Sequence, residues 1–254
     1  MFVRALLITL ALALAGCGGA IADTATVSDT ELDAVRAEVA EKFPRIRPEN
    51  IKRSAVPGMI EIQQGPLLAY MTADGRYLLQ GEIIDLKENQ NLTENSRAAG
   101  RVEVLRGIGA NDGILFEPEE TLATVTVFTD IDCTFCRKLH RQMADYHEAG
   151  IAVRYLLYPR SGPNTPSWSK AEEVWCAADR TAALTAAKNG EAVAAEACDA
   201  SMIGQHFETG LNVGLNGTPA ILLEDGTLFS GYVPPADLAR QLGLEVAPAP
   251  ASAN

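Results

Sequence analysis

Leu32, Val35, Val39 and Phe43 recur at helical spacing in "SDTELDAVRAEVAEKFP", from Ser28 to Pro44, and predict an amphipathic helix that Pro44 stops. The period then changes. The runs "NIKRSAV", "MIEIQQ", "PLLAYMT" and "RYLLQGEIIDL" are strand-like, punctuated by Pro57-Gly58 and by Asp74-Gly75, a strong hairpin signal. One helix over a small antiparallel sheet is expected. "KENQNLTENSRAAGRVEVLRG" starts polar and becomes helix-prone, with Asn91 and Glu94 at capping-box spacing, and reads as a connecting helix. Turn residues between Gly107 and Glu120 mark the approach to a second domain.

That second domain opens on "TLATVTVFTD", whose near-continuous apolar and β-branched character suits a strand buried on both faces. A helix is predicted from about Cys133 to Glu148, with Phe135, Leu139, Met143 and Tyr146 on one side and Gly150 as its stop. "IAVRYLLY" follows as a buried strand, which makes a βαβ unit and a parallel pair. An alanine-rich helical region from about Pro166 to Ala195 comes next, then a short helix near His206 to Val213. "PAILLEDGTLFSGYV" reads as a hairpin turning at Asp225-Gly226, and Pro234-Pro235 starts a last helix to Leu242. After Leu244 the composition of "EVAPAPASAN" is that of a disordered tail.

Composition narrows the classes. A chain of 254 residues, 47% hydrophobic and 21% charged, has the make-up of a folded protein with room for two modest domains. Its formal charge of -12 argues against a nucleic-acid partner, because neutralising phosphates needs a surplus of Lys and Arg. The first domain is small enough to bury little surface alone, and dimerisation would remedy that.

The N-terminus, "MFVRALLITLALALAGCGGA", carries Arg4 and then an apolar run from Ala5 to Ala15, too short to span a bilayer and built like a secretory h-region. The chain is therefore expected to leave the cytoplasm. Two cleavage readings stand side by side: Leu14-Ala15-Gly16-Cys17 resembles the lipobox, with Cys17 lipidated as a membrane anchor, and Ala20-Ile21-Ala22 fits an ordinary signal-peptide site. With Cys17 assigned to the leader, Cys133, Cys136, Cys176 and Cys198 remain, an even set in a compartment where disulfides persist.

The candidate chemistry lies in "VFTDIDCTFCRKLH". Cys133 falls at the predicted helix start, where free backbone N–H groups and the macrodipole favour an anion, and Cys136 is one turn on. A thiolate is the nucleophile of disulfide exchange, so the position predicts a reactive Cys133. Asp130 and Asp132 push against ionisation, and neither influence wins from sequence alone. Three readings of the pair stand at this point: a redox couple, a structural staple, and a zinc clip completed by His140 or a second close pair. Cys176 and Cys198 stand too far apart in sequence to form such a knuckle, and the βαβ context favours redox use.

"VFTDIDCTFCRKLHRQMADYHEAGIAVRYLLYPRSG", the cysteines 176 and 198, "GLNGTPAILLEDGTLFSGYVPP" and the helix-plus-sheet first region, in that order along the chain, resemble the DsbC/DsbG family of bacterial periplasmic thiol:disulfide isomerases. The resemblance implies an α+β cystatin-like dimerisation domain at the N-terminus and an α/β thioredoxin-like catalytic domain with a helical insertion at the C-terminus. The corresponding boundaries are 1–22 for the signal peptide, 23–91 for the dimerisation domain, 92–118 for the helical linker, 119–246 for the catalytic domain and 247–254 for the tail. It implies a homodimer acting on misoxidised or unfolded exported proteins in the periplasm, kept reduced by a membrane electron donor of the DsbD type, with no cofactor and no metal. Cys133 then matches the attacking cysteine and Cys136 the resolving one. Thr218 and Pro219 match a cis-proline loop that faces them and, with Thr134 and Phe135, binds substrate. Cys176 and Cys198 match a second, structural disulfide.

Departures from the family pattern bear on redox poise. Thr134-Phe135 stands where isomerases of this type have Gly-Tyr, and Arg137 where a His often follows the second cysteine. A thiol oxidase, a sulfenic-acid reductase and a dimeric holdase chaperone remain as alternative activities. His140 and His147 on the predicted active-site helix are expected to be packed or solvated, and Trp168 and Trp175 to be packing groups.

Overall fold

The computed structural model describes residues 26–65 and 67–245. The leader with Cys17 and the tail 247–254 lie outside the described residues.

Helix α1 (Asp29–Lys42) begins where Ser28 can cap it. The Ser28 hydroxyl accepts the Glu31 N–H at 3.3 Å and the Glu31 carboxylate takes the Ser28 N–H at 2.8 Å. Leu32, Val35 and Val39 bury the inner face against Ile51, Ile60 and Ile62. Phe43, expected on the same stripe, is instead 52% exposed: the helix ends at Lys42, so the fourth apolar position leaves its phase. The sheet below consists of β1 (Ile51–Arg53), β2 (Met59–Gln64), β3 (Leu67–Thr72) and β4 (Leu78–Leu79), antiparallel in that order. Gly75, at φ +70°, makes the turn between β3 and β4. The run "RYLLQGEIIDL" does not form one strand. It leaves β4 at Leu79, and Ile84–Asp85 becomes β5, paired with β6 (Gln90–Asn91) in a ribbon of its own.

Helix α2 (Leu92–Arg106) is capped by Asn91, whose side chain accepts the Glu94 N–H at 2.9 Å. Far from being a free connector, it is fastened at both ends. The Thr93 hydroxyl, fully buried, meets the Tyr70 hydroxyl at 2.7 Å. Further along, Val104, Leu105 and the following Ile108 pack on Phe128, Leu156 and Leu222 of the larger sheet. Arg101, buried, donates to the carbonyls of Val213 (3.2 Å) and Gly226 (3.1 Å) and to Glu94 (2.6 Å).

The larger sheet holds β7 (Ile114–Phe116), β8 (Ala123–Thr129), β9 (Ile151–Leu157), β10 (Ala220–Leu222) and β11 (Leu228–Ser230), in the order β11-β10-β8-β9-β7. Only β8 and β9 run parallel, with Val125 beside Val153. Alternation explains the unbroken apolar character of β8: Val125 and Val127 enter the core on one face, Phe128 the core on the other, beneath α2. The sequence reading saw only turns around β7, because three residues pairing at a sheet edge carry too little periodicity to register.

The helix predicted from Cys133 to Glu148 is two: α3 (Thr134–Arg141) and α4 (Met143–Glu148). At Gln142 the ladder tightens, its N–H bonding the Leu139 carbonyl three residues back, and this turns the axis. Leu139 and Tyr146 stay buried on the predicted side, but Phe135 is 59% exposed. The alanine-rich region likewise divides into α5 (Pro166–Trp175) and α6 (Arg180–Asn189), and ends six residues earlier than alanine content suggested, because Gly190 closes α6 at φ +84°. Helices α7 (Ser201–Val213) and α8 (Pro235–Gln241) complete the unit. Trp175 packs in the core under the Arg180 guanidinium, 3.7 Å away.

Between α6 and α7 the chain is tied back by a disulfide from Cys198 to Cys176 at the end of α5. Closing a loop of about 20 residues restricts the unfolded chain by roughly 3 kcal/mol. The double substitution C176A/C198A is expected to lower unfolding free energy by about that amount in a urea titration, with the dithiol chemistry at Cys133 and Cys136 intact.

Candidate active site

Strand β8 delivers its last residue, Thr129, to the edge of the site, and four residues later Cys133 sits at the N-cap of α3. No side chain caps this helix, so the first-turn N–H groups are left facing the sulfur. Both thiols are free; Cys133 is 4% and Cys136 1% exposed. The Thr218–Pro219 bond is cis. Because β10 begins just after it and pairs with β8, Ala220 beside Phe128, the loop is carried across to the cysteines. The Cys133 thiol donates to the Thr218 carbonyl at 3.2 Å, from 85 residues away in sequence. The Thr218 hydroxyl is buried without a hydrogen-bond partner among the described residues. A thiol leaves it idle, whereas a thiolate beside it would accept its proton. Thr134 and Phe135 lie exposed next to Cys133.

The two acids that left ionisation undecided are both matched by cations. Asp130, 3% exposed, accepts from Arg160 Nε at 3.1 Å, the Arg160 N–H at 3.0 Å, the Ser167 hydroxyl at 2.8 Å and the Asp132 N–H at 2.8 Å. Burial pushes its carboxyl up, but these hydrogen bonds outweigh that and hold it below the usual range. Asp132 pairs with Lys170 at 2.8 Å and Arg137 at 3.2 Å.

The thiols diverge in consequence. Burial also pushes Cys133 up, yet the Thr218 hydroxyl, the Cys136 N–H and thiol and the Arg160 charge together bring it below the ordinary thiol. Deeper burial wins at Cys136, which lies above it despite the pull of Lys188. Arg160, Ser167, Lys170 and Lys188 were missed from sequence. They arrive from 30 to 59 residues downstream of the groups they touch, and no motif ties them together. The reduced chain is expected to react with iodoacetamide in two phases, a fast one from Cys133 with its midpoint pH below that of free cysteine and a slow one from Cys136.

His140 and His206 are structural. His140 places one ring nitrogen 3.2 Å from the Tyr155 hydroxyl and the other 3.0 Å from the Thr185 hydroxyl, so it is not free to ligate a metal. Burial, then the Lys188 charge, pushes it down to about 4. His206 Nδ1 accepts the Leu157 N–H at 3.1 Å and Nε2 faces the Asp112 carbonyl, and burial pushes it down too. Both are therefore neutral when folded and protonated more readily when unfolded. The stability they contribute is complete above about pH 6.5 and is lost as pH falls below it, for His140 over the window down to about 4. Unfolding free energy should decline over that window, by roughly 3 kcal/mol for His140, and His140→Gln should flatten the decline. His147 lies half-buried on α4, outside the pair's surroundings.

A family model described as the disulfide bond isomerase protein N-terminal domain matches residues 21–94, and a thioredoxin-like domain model matches residues 116–244. The thiol:disulfide interchange protein DsbC of Dickeya dadantii is 38% identical over 233 residues, covering 91% of this chain and 91% of that protein. The protein of the same name from Escherichia coli is 34% identical over 195 residues, 76% of this chain and 80% of its own length. A crystal structure of a disulfide interchange protein from Neisseria gonorrhoeae superposes with TM-score 0.47 at 26% identity, over 52% of this chain and 96% of that one.

Proposed function

The chain belongs to the DsbC family of thiol:disulfide interchange proteins and is a thiol-disulfide oxidoreductase; from that premise we propose that Cys133 and Cys136 are its working pair and that it isomerises or reduces non-native disulfides in exported proteins. The observation that carries this is the asymmetry of the two sulfurs, one eased toward the thiolate against the cis-Pro219 loop and the other buried beneath it. Cys133 thiolate attacks a substrate disulfide, forming a mixed disulfide and releasing the second substrate sulfur as a thiolate. A thiolate of the substrate can then attack the substrate sulfur of that bond, which rearranges the substrate and restores Cys133. Alternatively Cys136 attacks Cys133, leaving the substrate reduced and the pair oxidised by two electrons.

Substrate would lie as an extended segment beside Thr218 and Pro219, displacing the Cys133–Thr218 contact, with Thr134 and the exposed Phe135 ring meeting its side chains. A Cys136→Ser chain should accumulate the mixed disulfide with a scrambled substrate on a non-reducing gel, and a Cys133→Ser chain should not. If the two traps behave alike, the assignment fails.

A homodimer fits the N-terminal unit. Strand β4 is a sheet edge, and Leu67, Tyr77, Leu78, Leu79, Ile84 and Leu86 are exposed around it, an apolar margin that a second copy would cover. Light scattering at micromolar concentration should give twice the chain mass; a monomer refutes this. Isomerisation in the periplasm needs the pair kept reduced, by a membrane donor of the DsbD type, with Cys17 either lipidated or removed with the leader. Acid-trapping thiols in intact cells tests this directly, since a mainly oxidised pair would indicate an oxidase instead.

A further inference from the structure

Lys188 is buried as completely as the core around it, at 3% exposure. Its ammonium donates to the Thr129 hydroxyl at 2.8 Å and lies 5.4 Å from the Tyr155 ring centre. No carboxylate pairs with it among the described residues: the nearby acids are already engaged, Asp130 by Arg160, and Asp132 by Arg137 and Lys170. A lone buried cation costs several kcal/mol, so a negative group beside it would stabilise its charged form. The groups that face it are Cys136, Cys133, Arg137 and His140 from α3 and the residue before it, Asp130 from the preceding loop, and Tyr155 from β9. Arg137 is a cation, His140 and Tyr155 are neutral, and Asp130 has its own partner. Only the two sulfurs remain, and the Thr129 hydroxyl that holds Lys188 is also among the groups that ease Cys136 toward its thiolate.

We propose that Lys188 is a positioning residue for the redox pair, a buried cation fixed through Thr129 whose counter-charge is the Cys136 thiolate. This rests on the assignment of Cys133 and Cys136 as the working pair. In the resolving step Cys136 gives its proton to water and its sulfur bonds to Cys133. The bond from Cys133 to the substrate sulfur breaks, and the electron pair leaves on the substrate thiolate, which takes a proton from water. The ammonium favours the charged form of Cys136 that begins this step. Where Cys136 is ionised it also favours the reduced pair over the uncharged disulfide, making the protein a stronger oxidant there than it would otherwise be. Burial holds Lys188 down to about 8 while both thiols pull it up, which ties its charge to theirs.

In a Cys133→Ser background the ultraviolet thiolate absorbance of Cys136 reports its ionisation against pH. Lys188→Met is expected to lower the thiolate fraction about tenfold at a fixed pH below the midpoint. In the otherwise native chain, at a pH high enough to ionise Cys136, the same substitution should move the equilibrium with glutathione about tenfold toward the disulfide, roughly 30 mV more reducing. Lys188→Met should fold, because an apolar side chain of similar length removes a desolvation penalty. Thr129→Val, which keeps the charge and loosens its hold, should shift both readouts part of the way and serves if the Met chain does not fold. A merely structural lysine would move the thermal midpoint and neither of these readouts, and that result overturns the proposal. If instead the native chain forms no Cys133–Cys136 disulfide on oxidation, the assignment of the pair is what fails.

Discussion

Replacing Cys133 with Ala should abolish rescue of a scrambled multi-disulfide substrate, a loss on the order of 10³-fold or more, the scale on which removing a covalent nucleophile acts. The geometry gives the reason. Cys136 cannot substitute, since it is 1% exposed and burial holds its thiol above the ordinary range. The fold should survive: Ala removes one buried sulfur and its hydrogen bond to Thr218, at the margin of the apolar cluster of the larger unit. Refolding yield of scrambled ribonuclease measures the effect. Suppression of aggregation of a cysteine-free substrate should survive the change if the molecule also shields unfolded chains, so one variant separates exchange chemistry from holding. Rescue at more than a few per cent of the wild-type rate would remove Cys133 from the mechanism.

The second large effect is expected far from the sulfurs. Gly226→Ala should destabilise the protein by about 2 to 5 kcal/mol, from two additive causes. The residue has φ +85°, and a β-carbon there would overlap the Ala98 carbonyl oxygen on α2. Gly243→Ala is the control, with φ +70° and nothing within 4 Å, so it reports the backbone cost alone, about 1 to 2 kcal/mol. The difference between the two in urea unfolding isolates the contact between α2 and the β10–β11 turn. That contact also carries function in the reading above, because Arg101 bonds the Gly226 and Val213 carbonyls and so fixes the catalytic unit on the helix that leads to the N-terminal unit. Gly226→Ala should therefore lower substrate rescue more than simple reduction of insulin. Equal destabilisation by the two alanines would mean that the helix yields freely at Ala98.

Local chemistry was legible wherever a few adjacent residues decide it. Asn91 and Glu94 announced the start of α2, because a cap is a contact within one turn. β8 and β9 were visible as buried strands since both faces of each are apolar. Phe135 misled for a related reason: periodicity reports spacing, and at the first turn of α3 the side on which Leu139 is buried has not yet met the core, leaving that ring in solvent. The break at Gln142 was equally hidden, for nothing in its neighbourhood resembles a helix stop.

By itself the sequence determined that a cysteine pair stands at a strand-to-helix junction in a two-part chain, with a proline loop later to be placed, since such features depend on residue order and local geometry. Whether Cys133 ionises readily was decided only in three dimensions. Arg160 and Lys170 quench Asp130 and Asp132, Thr218 presents a hydroxyl without another partner among the described residues, and Lys188 lies buried against Thr129. Electrostatic energy depends on distance through a medium of low polarity, and no spacing along a chain encodes that distance until the sheet brings β8, β9 and β10 side by side.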